Sequence, residues 1–153
     1  MTYSEKLAEL RIILPEVAAP VGSYVPALQI GSLVMTSGQL PMRDGLLVCQ
    51  GKVGLDCNLE QAAKGAAIAV INALAAAASV TGGIDNIERI LRLCVYVNSA
   101  PGFTDHPKVA NGASDLLVKI FGDKGRHTRA AVGVCELPLN AAVELELTAQ
   151  MKT

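Results

Sequence analysis

Residues 127–150 read HTRAAVGVCELPLNAAVELELTAQ and predict two β-strands joined by a short turn at Leu137-Pro138-Leu139-Asn140. The first strand opens with a cation, Arg129. In the second, valine and leucine alternate with glutamate from position 143 to position 147, so the apolar side chains share one face and the carboxylates share the other. A paired hairpin would hold a fixed guanidinium near a fixed carboxylate. The same pattern also fits an ordinary half-buried hairpin whose arginine and glutamate are solvated or form a salt bridge.

The length and composition indicate one folded domain, residues 1–153. A chain of 153 residues is long enough to enclose a core, and a hydrophobic fraction of 51% excludes a disordered chain. Aromatic residues make up only 3%, so small aliphatic side chains must fill the core. Such side chains suit close packing of helices on a sheet and extensive contacts between subunits, which favours an oligomer.

The charge pattern argues against nucleic-acid and membrane partners. The net charge is −1 and the lysines and arginines are scattered, so no basic stripe for nucleic acid is expected. The apolar stretch 66–80 is interrupted by Asn72 and Ser79, which favours a buried helix over a membrane span. The N-terminal sequence MTYSEKLAEL carries acids and has no signal-peptide core, so we expect a cytoplasmic protein.

The cysteines and histidines give no metal-binding pattern. The four cysteines are Cys49, Cys57, Cys94 and Cys135. They form no CxxC pair, and neither His106 nor His127 stands in ligand spacing with them, so no metal site is expected. We predict that Cys94 and Cys135 are small core residues. A disulfide between Cys49 and Cys57 is not expected in a reducing compartment.

The element order predicts an α+β fold with two helices on one face of a mixed sheet. The predicted helices are Ser4–Ile12 with Ser4 as its cap, Leu59–Ser79 capped by Asn58 and ended by Gly82-Gly83, and Asp105–Phe121. The predicted strands are Tyr24–Ile30 and Leu33–Thr36, joined at Gly31-Ser32, a weak strand within Leu46–Cys49, Ile90–Asn98, and the two C-terminal strands. In the strand Ile90–Asn98, Leu91, Leu93, Val95 and Val97 are expected to share one face.

Several motifs resemble the reactive-intermediate deaminase family, also called the RidA/YjgF or L-PSP endoribonuclease-like family. The matching segments are Gly22-Ser23-Tyr24, Thr36-Ser37-Gly38-Gln39-Leu40-Pro41, Val109-Ala110-Asn111, and the stretch from Arg129 through Leu137-Pro138 to Val143-Glu144-Leu145-Glu146. The similarity runs from Ala18 onward, and it leaves residues 1–17 as an N-terminal helical extension.

This resemblance implies a chorismate-mutase-like fold that assembles as a homotrimer around a central barrel. It implies three clefts between subunits, in which 2-imino or enamine acids such as 2-aminoacrylate are hydrolysed to 2-keto acids and ammonia without a metal or organic cofactor. Arg129 would grip the substrate carboxylate and Glu144 would activate water. The substrate-binding residues implied by the resemblance are Tyr24, Ser37, Gly38, Asn111 and Ala131.

The sequence departs from the family pattern at several points. Ala131 stands where many members have a cysteine, His127-Thr128 stands where a proline is common, and the segments 43–58 and 99–107 differ from those of typical short members. These differences indicate a divergent subgroup. Two other functions stay open, namely a protein that binds small carboxylates without turnover and, ranked lower, an endoribonuclease. An RNA-binding surface would need aromatic stacking platforms, which the sequence does not suggest.

Overall fold

The computed structural model describes residues 1–17 and 19–153. Its helices are α1 (Tyr3–Glu9), α2 (Leu59–Thr81) and α3 (His106–Phe121). Its strands are β1 (Ala27–Ile30), β2 (Leu33–Thr36), β3 (Met42–Arg43), β4 (Leu46–Leu47), β5 (Ile87–Asn98), β6 (Thr128–Val134) and β7 (Val143–Met151). Short 3-10 turns occur at Ile84–Asn86, Gly122–Gly125 and Pro138–Asn140.

A five-stranded mixed sheet forms the centre of the fold, with the strand order β1-β2-β7-β5-β6. Neighbouring strands run antiparallel except β5 and β6, which are parallel. Helices α2 and α3 pack together on one face of this sheet. The predicted α+β class and the two long helices on one face are therefore confirmed, and α1 adds a third helix at the edge. Strands β3 and β4 form a separate small hairpin.

The period-two pattern of β7 places its side chains as predicted. Val143, Leu145 and Leu147 are buried beneath the helices, whereas Glu144 is half-buried and Glu146 is exposed on the opposite face. In the part of the chain that the structure describes, no helix covers that opposite face. Val34 of β2 points into the core, so its neighbours Leu33 and Met35 point to the opposite face. Ile30 and Leu28 of β1 pair with Leu33 and Met35 and therefore present their side chains on that same face.

The predicted C-terminal hairpin is wrong, because β5 lies between β6 and β7. Helix α3 carries the chain back to the start of β5, so β6 runs parallel to β5 as the last strand of a βαβ unit. The turn-like tetrapeptide at Leu137–Asn140 begins a crossover that takes the chain over the end of β5 to its other edge. A local turn signal cannot distinguish such a crossover from a hairpin.

The buried side chain of Asn98 holds this crossover at the end of β5. Its amide nitrogen donates to the carbonyl of Ala141 at 3.1 Å, and its backbone N–H donates to the carbonyl of Ala142 at 3.0 Å. Its Oδ1 accepts a hydrogen bond from Nζ of Lys52 at 3.0 Å. Asn98 is fully buried, and these bonds satisfy its polar atoms.

Helix α2 has the predicted start and a typical end. Asn58 accepts from the N–H of Gln61 at 2.8 Å, and the side chain of Gln61 accepts from the N–H of Asn58 at 2.9 Å, which completes a capping box. Gly82 ends the helix in the left-handed conformation, at φ 78°. The helix is long and apolar enough to cross a membrane, with a mean hydropathy of 1.6 in its most apolar window. It packs on the sheet as the main helix of the core.

Helices α2 and α3 touch backbone to backbone at Gly112. A side chain at this position would overlap the carbonyl oxygen of Ala63 and lie 2.6 Å from the carbonyl carbon. Glycine therefore permits an approach that no other residue allows. This contact sets how closely α3 packs against α2.

Five local predictions need correction. The helix predicted over Ser4–Ile12 spans Tyr3–Glu9, and its cap is Thr2 instead of Ser4. The hydroxyl and N–H of Ser4 donate to the carboxylate of Asp85. Strand β1 starts at Ala27, since Pro26 has no N–H to pair. Cys135 is exposed beyond the end of β6, and Cys94 is only partly buried. Leu91 is also only partly buried, because register shifts in β5 interrupt the alternation.

Candidate functional site

Arg129 lies on the edge strand β6, where the alternation of side chains points it toward helix α3. Its Nη1 donates to Oδ1 of Asn111 at 2.8 Å and to Oγ of Ser114 at 3.2 Å. Asn111 and Ser114 are one turn apart, so they project from the same face of α3. Among the described residues, Arg129 has no carboxylate within salt-bridge distance. The guanidinium is therefore oriented by neutral groups and keeps its full charge for an anion.

Two residues of this cluster were not predicted as site residues. Ser114 lies three residues after Asn111, and this helical spacing was the signal that could have found it. His127 is half-buried. Its Nε2 lies 2.9 Å from Oγ of Ser114 and its Nδ1 lies 2.6 Å from the carbonyl of Gly125.

Glu144 and Gly38 form a second cluster on the other face of the sheet. A side chain at position 38 would overlap Oε1 of Glu144 and lie 3.3 Å from its Cγ. Gly38 follows the end of β2, and the next residue, Gln39, pairs with Leu145 through backbone hydrogen bonds of 2.7 and 3.1 Å. The absence of a side chain at Gly38 thus lets the carboxylate lie directly on the backbone.

Ser37 and Tyr24 border the Glu144 cluster. The hydroxyl of Ser37 donates to the carbonyl of Val25 at 2.6 Å, and its N–H donates to the carbonyl of Pro26 at 2.8 Å. Ser37 therefore fixes the segment that carries Tyr24. The ring of Tyr24 is 54% exposed and is available to a ligand or a neighbouring subunit.

The surroundings of Glu144 favour its protonated form. Partial burial, and secondarily the negative charge of Glu146, raise the pKa of Glu144 above its ordinary value. Glu146 accepts a hydrogen bond from the hydroxyl of Tyr96 at 3.3 Å. The pKa of Tyr96 is in turn raised by burial and by Glu146. A carboxylate with a raised pKa is a stronger base than one in water, which suits proton transfer.

Arg129 and Glu144 do not meet within one chain. Arg129 pairs with Leu93 of β5, whose side chain is buried under the helices, whereas Glu144 pairs with Tyr96 on the uncovered face. The two groups therefore lie on opposite faces of the sheet, with β5 between their strands. The expectation that one hairpin brings them together is wrong. A site that contains both groups requires two copies of the chain.

Asn111 and Ala131 belong to the Arg129 side of the molecule. Ala131 lies two residues after Arg129 on the same face of β6 and packs against the core. Farther along this face, a side chain at Gly133 would lie 2.5 Å from both Nε2 of His106 and Oγ of Ser99. The edge strand thus offers small residues beside the guanidinium.

A cavity of about 900 Å³ lies beside the Glu144 cluster. It extends between helix α2 and the lead-in segment before β1, and its walls are mainly apolar. Tyr24 and Gly38 line one end of it. In residues 1–17 and 19–153, no group of three or more His, Cys, Asp or Glu side chains is placed to hold a metal ion.

Comparison with known proteins identifies the family. The sequence model of the family described as "YjgF/chorismate mutase-like, putative endoribonuclease" matches residues 4–151. The chain belongs to the YjgF family. The match spans all five strands of the main sheet, both long helices, and helix α1 from its second residue.

Close relatives in this family are of comparable length. Protein TCP17 of Trypanosoma cruzi is 40% identical over 149 residues, which cover 95% of this chain and 91% of that protein. A crystal structure described as a putative endoribonuclease from Shewanella oneidensis MR-1 is 37% identical, covers 99% of this chain and 100% of its own, and has a TM-score of 0.94. Protein Atu1372 of Agrobacterium tumefaciens, described as of unknown function, is 39% identical with a TM-score of 0.89 and coverage of 98% and 92%.

Proposed function

We propose that the chain assembles as a homotrimer in which the uncovered faces of the sheets form a central barrel. The feature that supports this is the apolar surface of that face. Its large exposed side chains are Leu28, Ile30, Leu33, Met35 and Val132. A soluble monomer rarely exposes such a patch, whereas a closed ring of three copies buries it.

We propose that each site forms between two copies, one supplying Arg129 and Asn111 and the other supplying Glu144, Gly38, Ser37 and Tyr24. The observation that carries this proposal is the guanidinium of Arg129, which is held by Asn111 and Ser114 and forms no ion pair within residues 1–17 and 19–153. An oriented, uncompensated arginine at an edge strand suits a small carboxylate, which it can bind through two parallel hydrogen bonds.

The proposed reaction is hydrolysis of a 2-imino acid or its enamine tautomer to a 2-keto acid and ammonia. Arg129 holds the substrate carboxylate and so fixes the imine carbon for attack. Glu144 accepts a proton as water adds to the carbon of the protonated imine, giving a neutral carbinolamine. Glu144 then returns this proton to the nitrogen; as the C–N bond breaks and ammonia leaves, the carboxylate of Glu144 takes the hydroxyl proton, the carbonyl forms, and the proton passes to solvent or to the ammonia. Neither a metal nor an organic cofactor is required for these steps.

The direct test is an imine-hydrolysis assay with 2-aminoacrylate or 2-iminobutyrate generated in situ. We expect the wild type to turn over, and Arg129→Ala and Glu144→Ala to fall to the uncatalysed rate. Binding of 2-ketobutyrate without turnover would instead indicate a carboxylate-binding protein. RNA cleavage that survives Arg129→Ala would contradict the proposal and favour the endoribonuclease function named for some relatives.

Gly38→Ala should remove activity without unfolding the protein. The added methyl group displaces the carboxylate of Glu144, which can swing away because it is the end of a flexible side chain. We expect kcat/KM to fall by about 100-fold, similar to the loss of one well-placed catalytic group, while the Tm changes little. Gly65→Ala is the control for adding a methyl group at a tightly packed glycine. The atom nearest to its new Cβ is the Cβ of Cys49 at 3.1 Å, which belongs to the core and not to the Glu144 cluster. A Gly38→Ala enzyme with full activity would exclude Glu144 as the base.

The pH profile should depend on Glu146. Glu144 must be ionised to accept a proton, so the rate falls as the pH falls through its raised pKa. Glu146→Gln removes one negative charge, which lowers the pKa of Glu144 and shifts the acidic limb of kcat/KM to lower pH. The midpoint of the acidic limb stays above the ordinary pKa of glutamate, because burial, the larger cause of the raised pKa, remains. Profiles from about pH 5 to 8, with exposed Glu60→Gln as control, test this; a shift to higher pH would contradict it.

We also propose a cytoplasmic location. All four cysteines are free, including the exposed Cys135, which suits a reducing compartment. The substrate class fits the same location, since reactive imino acids would be removed where they form.

A further inference from the structure

A chain of hydrogen bonds leads from the backbone at Gly125 to the guanidinium of Arg129. Nδ1 of His127 lies 2.6 Å from the carbonyl oxygen of Gly125, and Nε2 of His127 lies 2.9 Å from Oγ of Ser114. Oγ of Ser114 accepts from Nη1 of Arg129 at 3.2 Å. The segment just before β6, which carries His127, and helix α3 thus meet at the hydroxyl of Ser114.

The chemistry of these atoms sets the direction of each hydrogen bond. A carbonyl oxygen only accepts, so Nδ1 of His127 carries the proton. In the neutral imidazole, Nε2 is then an acceptor, and the hydroxyl of Ser114 donates to it. This orientation turns the lone pairs of Oγ toward Arg129. A guanidinium only donates, so Ser114 must accept from Arg129, and His127 fixes the hydroxyl proton of Ser114 on the side away from Arg129.

The same geometry determines which edge of the guanidinium is left for a ligand. Nη1 carries two hydrogens, and Asn111 and Ser114 accept one each. The part of the chain that the structure describes places no acceptor on Nε or Nη2. A carboxylate can bind this Nε–Nη2 edge through two parallel hydrogen bonds.

We propose that His127 is a positioning residue that acts through Ser114 to present the Nε–Nη2 edge of Arg129 to the ligand carboxylate. The identity of the ligand rests on the function proposed above, whereas the orientation of the guanidinium does not. The role depends on the histidine and the serine together. Loss of Ser114 removes the acceptor of one Nη1 hydrogen, and loss of His127 frees the hydroxyl of Ser114 to turn, so either change holds the guanidinium less firmly.

The test combines a binding measurement with a spectroscopic one on the full chain. We expect Ser114→Ala to weaken 2-ketobutyrate binding by about 10-fold in calorimetry, the lower end of the effect of losing one hydrogen bond to a charged group. His127→Phe, which keeps that bond but frees the hydroxyl, should weaken binding by a smaller factor. His127→Gln, whose side-chain oxygen can accept from Ser114, should recover part of this loss. Ser79→Ala, which removes a serine hydroxyl from helix α2, should bind like the wild type. Equal affinity in His127→Phe and wild type would overturn the proposal.

Nitrogen NMR of the arginine side chains separates this inference from the proposed function. In the wild type, the Nη1 hydrogens of Arg129 should be slowed and visible, and in His127→Phe and Ser114→Ala they should broaden. If the wild type binds no 2-ketobutyrate, the proposed ligand class fails, and the spectra still decide the role of His127. An identical Nη1 signal in wild type and His127→Phe would refute it, even if the variant has a lower Tm.

Discussion

Arg129→Ala should weaken binding of 2-ketobutyrate by at least about 30-fold, while the protein stays folded and keeps its oligomeric state. The variant removes the charge that the carboxylate needs but no core side chain, because Arg129 is only partly buried at the edge of the sheet. Truncation of one member of a desolvated charge pair costs about 2 to 5 kcal/mol, which corresponds to a loss of roughly 30-fold to several thousand-fold in affinity. Calorimetry gives the affinity, and light scattering gives the mass.

Arg126→Ala is the matched control for this prediction. Arg126 lies three residues earlier and is paired with Asp123 through its Nε at 3.3 Å. It carries the same charge near the same surface, so a general electrostatic attraction would respond to both substitutions. We expect Arg126→Ala to retain most of the affinity. Equal losses in the two variants would show that Arg129 is not a specific clamp.

Gly112→Ala should be strongly destabilising. The new methyl group meets the backbone of Ala63, which cannot move aside as a side chain can, so helices α2 and α3 must separate. Overpacking costs about 1 to 3 kcal/mol and sometimes more, and a clash with immobile backbone belongs at the upper end, so a net loss of about 2 kcal/mol remains after the gain of about 1 kcal/mol from replacing a helical glycine. Thermal unfolding should show a Tm lower by about 4 to 8 °C.

Gly65→Ala provides the comparison within α2. Its nearest atoms are side-chain carbons of Cys49 and Val143 at 3.1 and 3.4 Å, which can shift by a few tenths of an ångström. The loss of stability should therefore be smaller than for Gly112→Ala. If Gly112→Ala is as stable as the wild type, the close backbone contact between the helices is not present in solution. Because α3 carries Asn111 and Ser114, a separated helix should also weaken ligand binding.

Local patterns in the sequence predicted the parts of the fold that local forces determine. The alternation in β7 predicted which side of the sheet Glu144 occupies, since a period of two has only two phases. Asn58 predicted the start of α2, because a capping side chain satisfies the N–H groups at that end. The position of β6 was not predictable in this way. It depends on α3 and on Asn98, whose contacts join residues far apart in the chain.

The candidate site was predicted only in part for the same reason. Similarity to a family pointed to Arg129 and Asn111, and the structure brings these two together. The contact of Glu144 with Gly38 joins strands that are distant in sequence, so no local pattern reveals it. Ser114 and His127 looked like ordinary polar residues, because their role arises only where helix α3 meets the approach to β6.

The measurement that tests the central claim most directly is complementation between two inactive variants. If each site takes Arg129 from one copy and Glu144 from another, Arg129→Ala and Glu144→Ala chains produced together in equal amounts should regain activity. With random mixing, about one quarter of the sites receive both intact groups, so about a quarter of the wild-type rate is expected. Mixed oligomers purified through two different tags, with no activity above that of the single variants, would contradict the account.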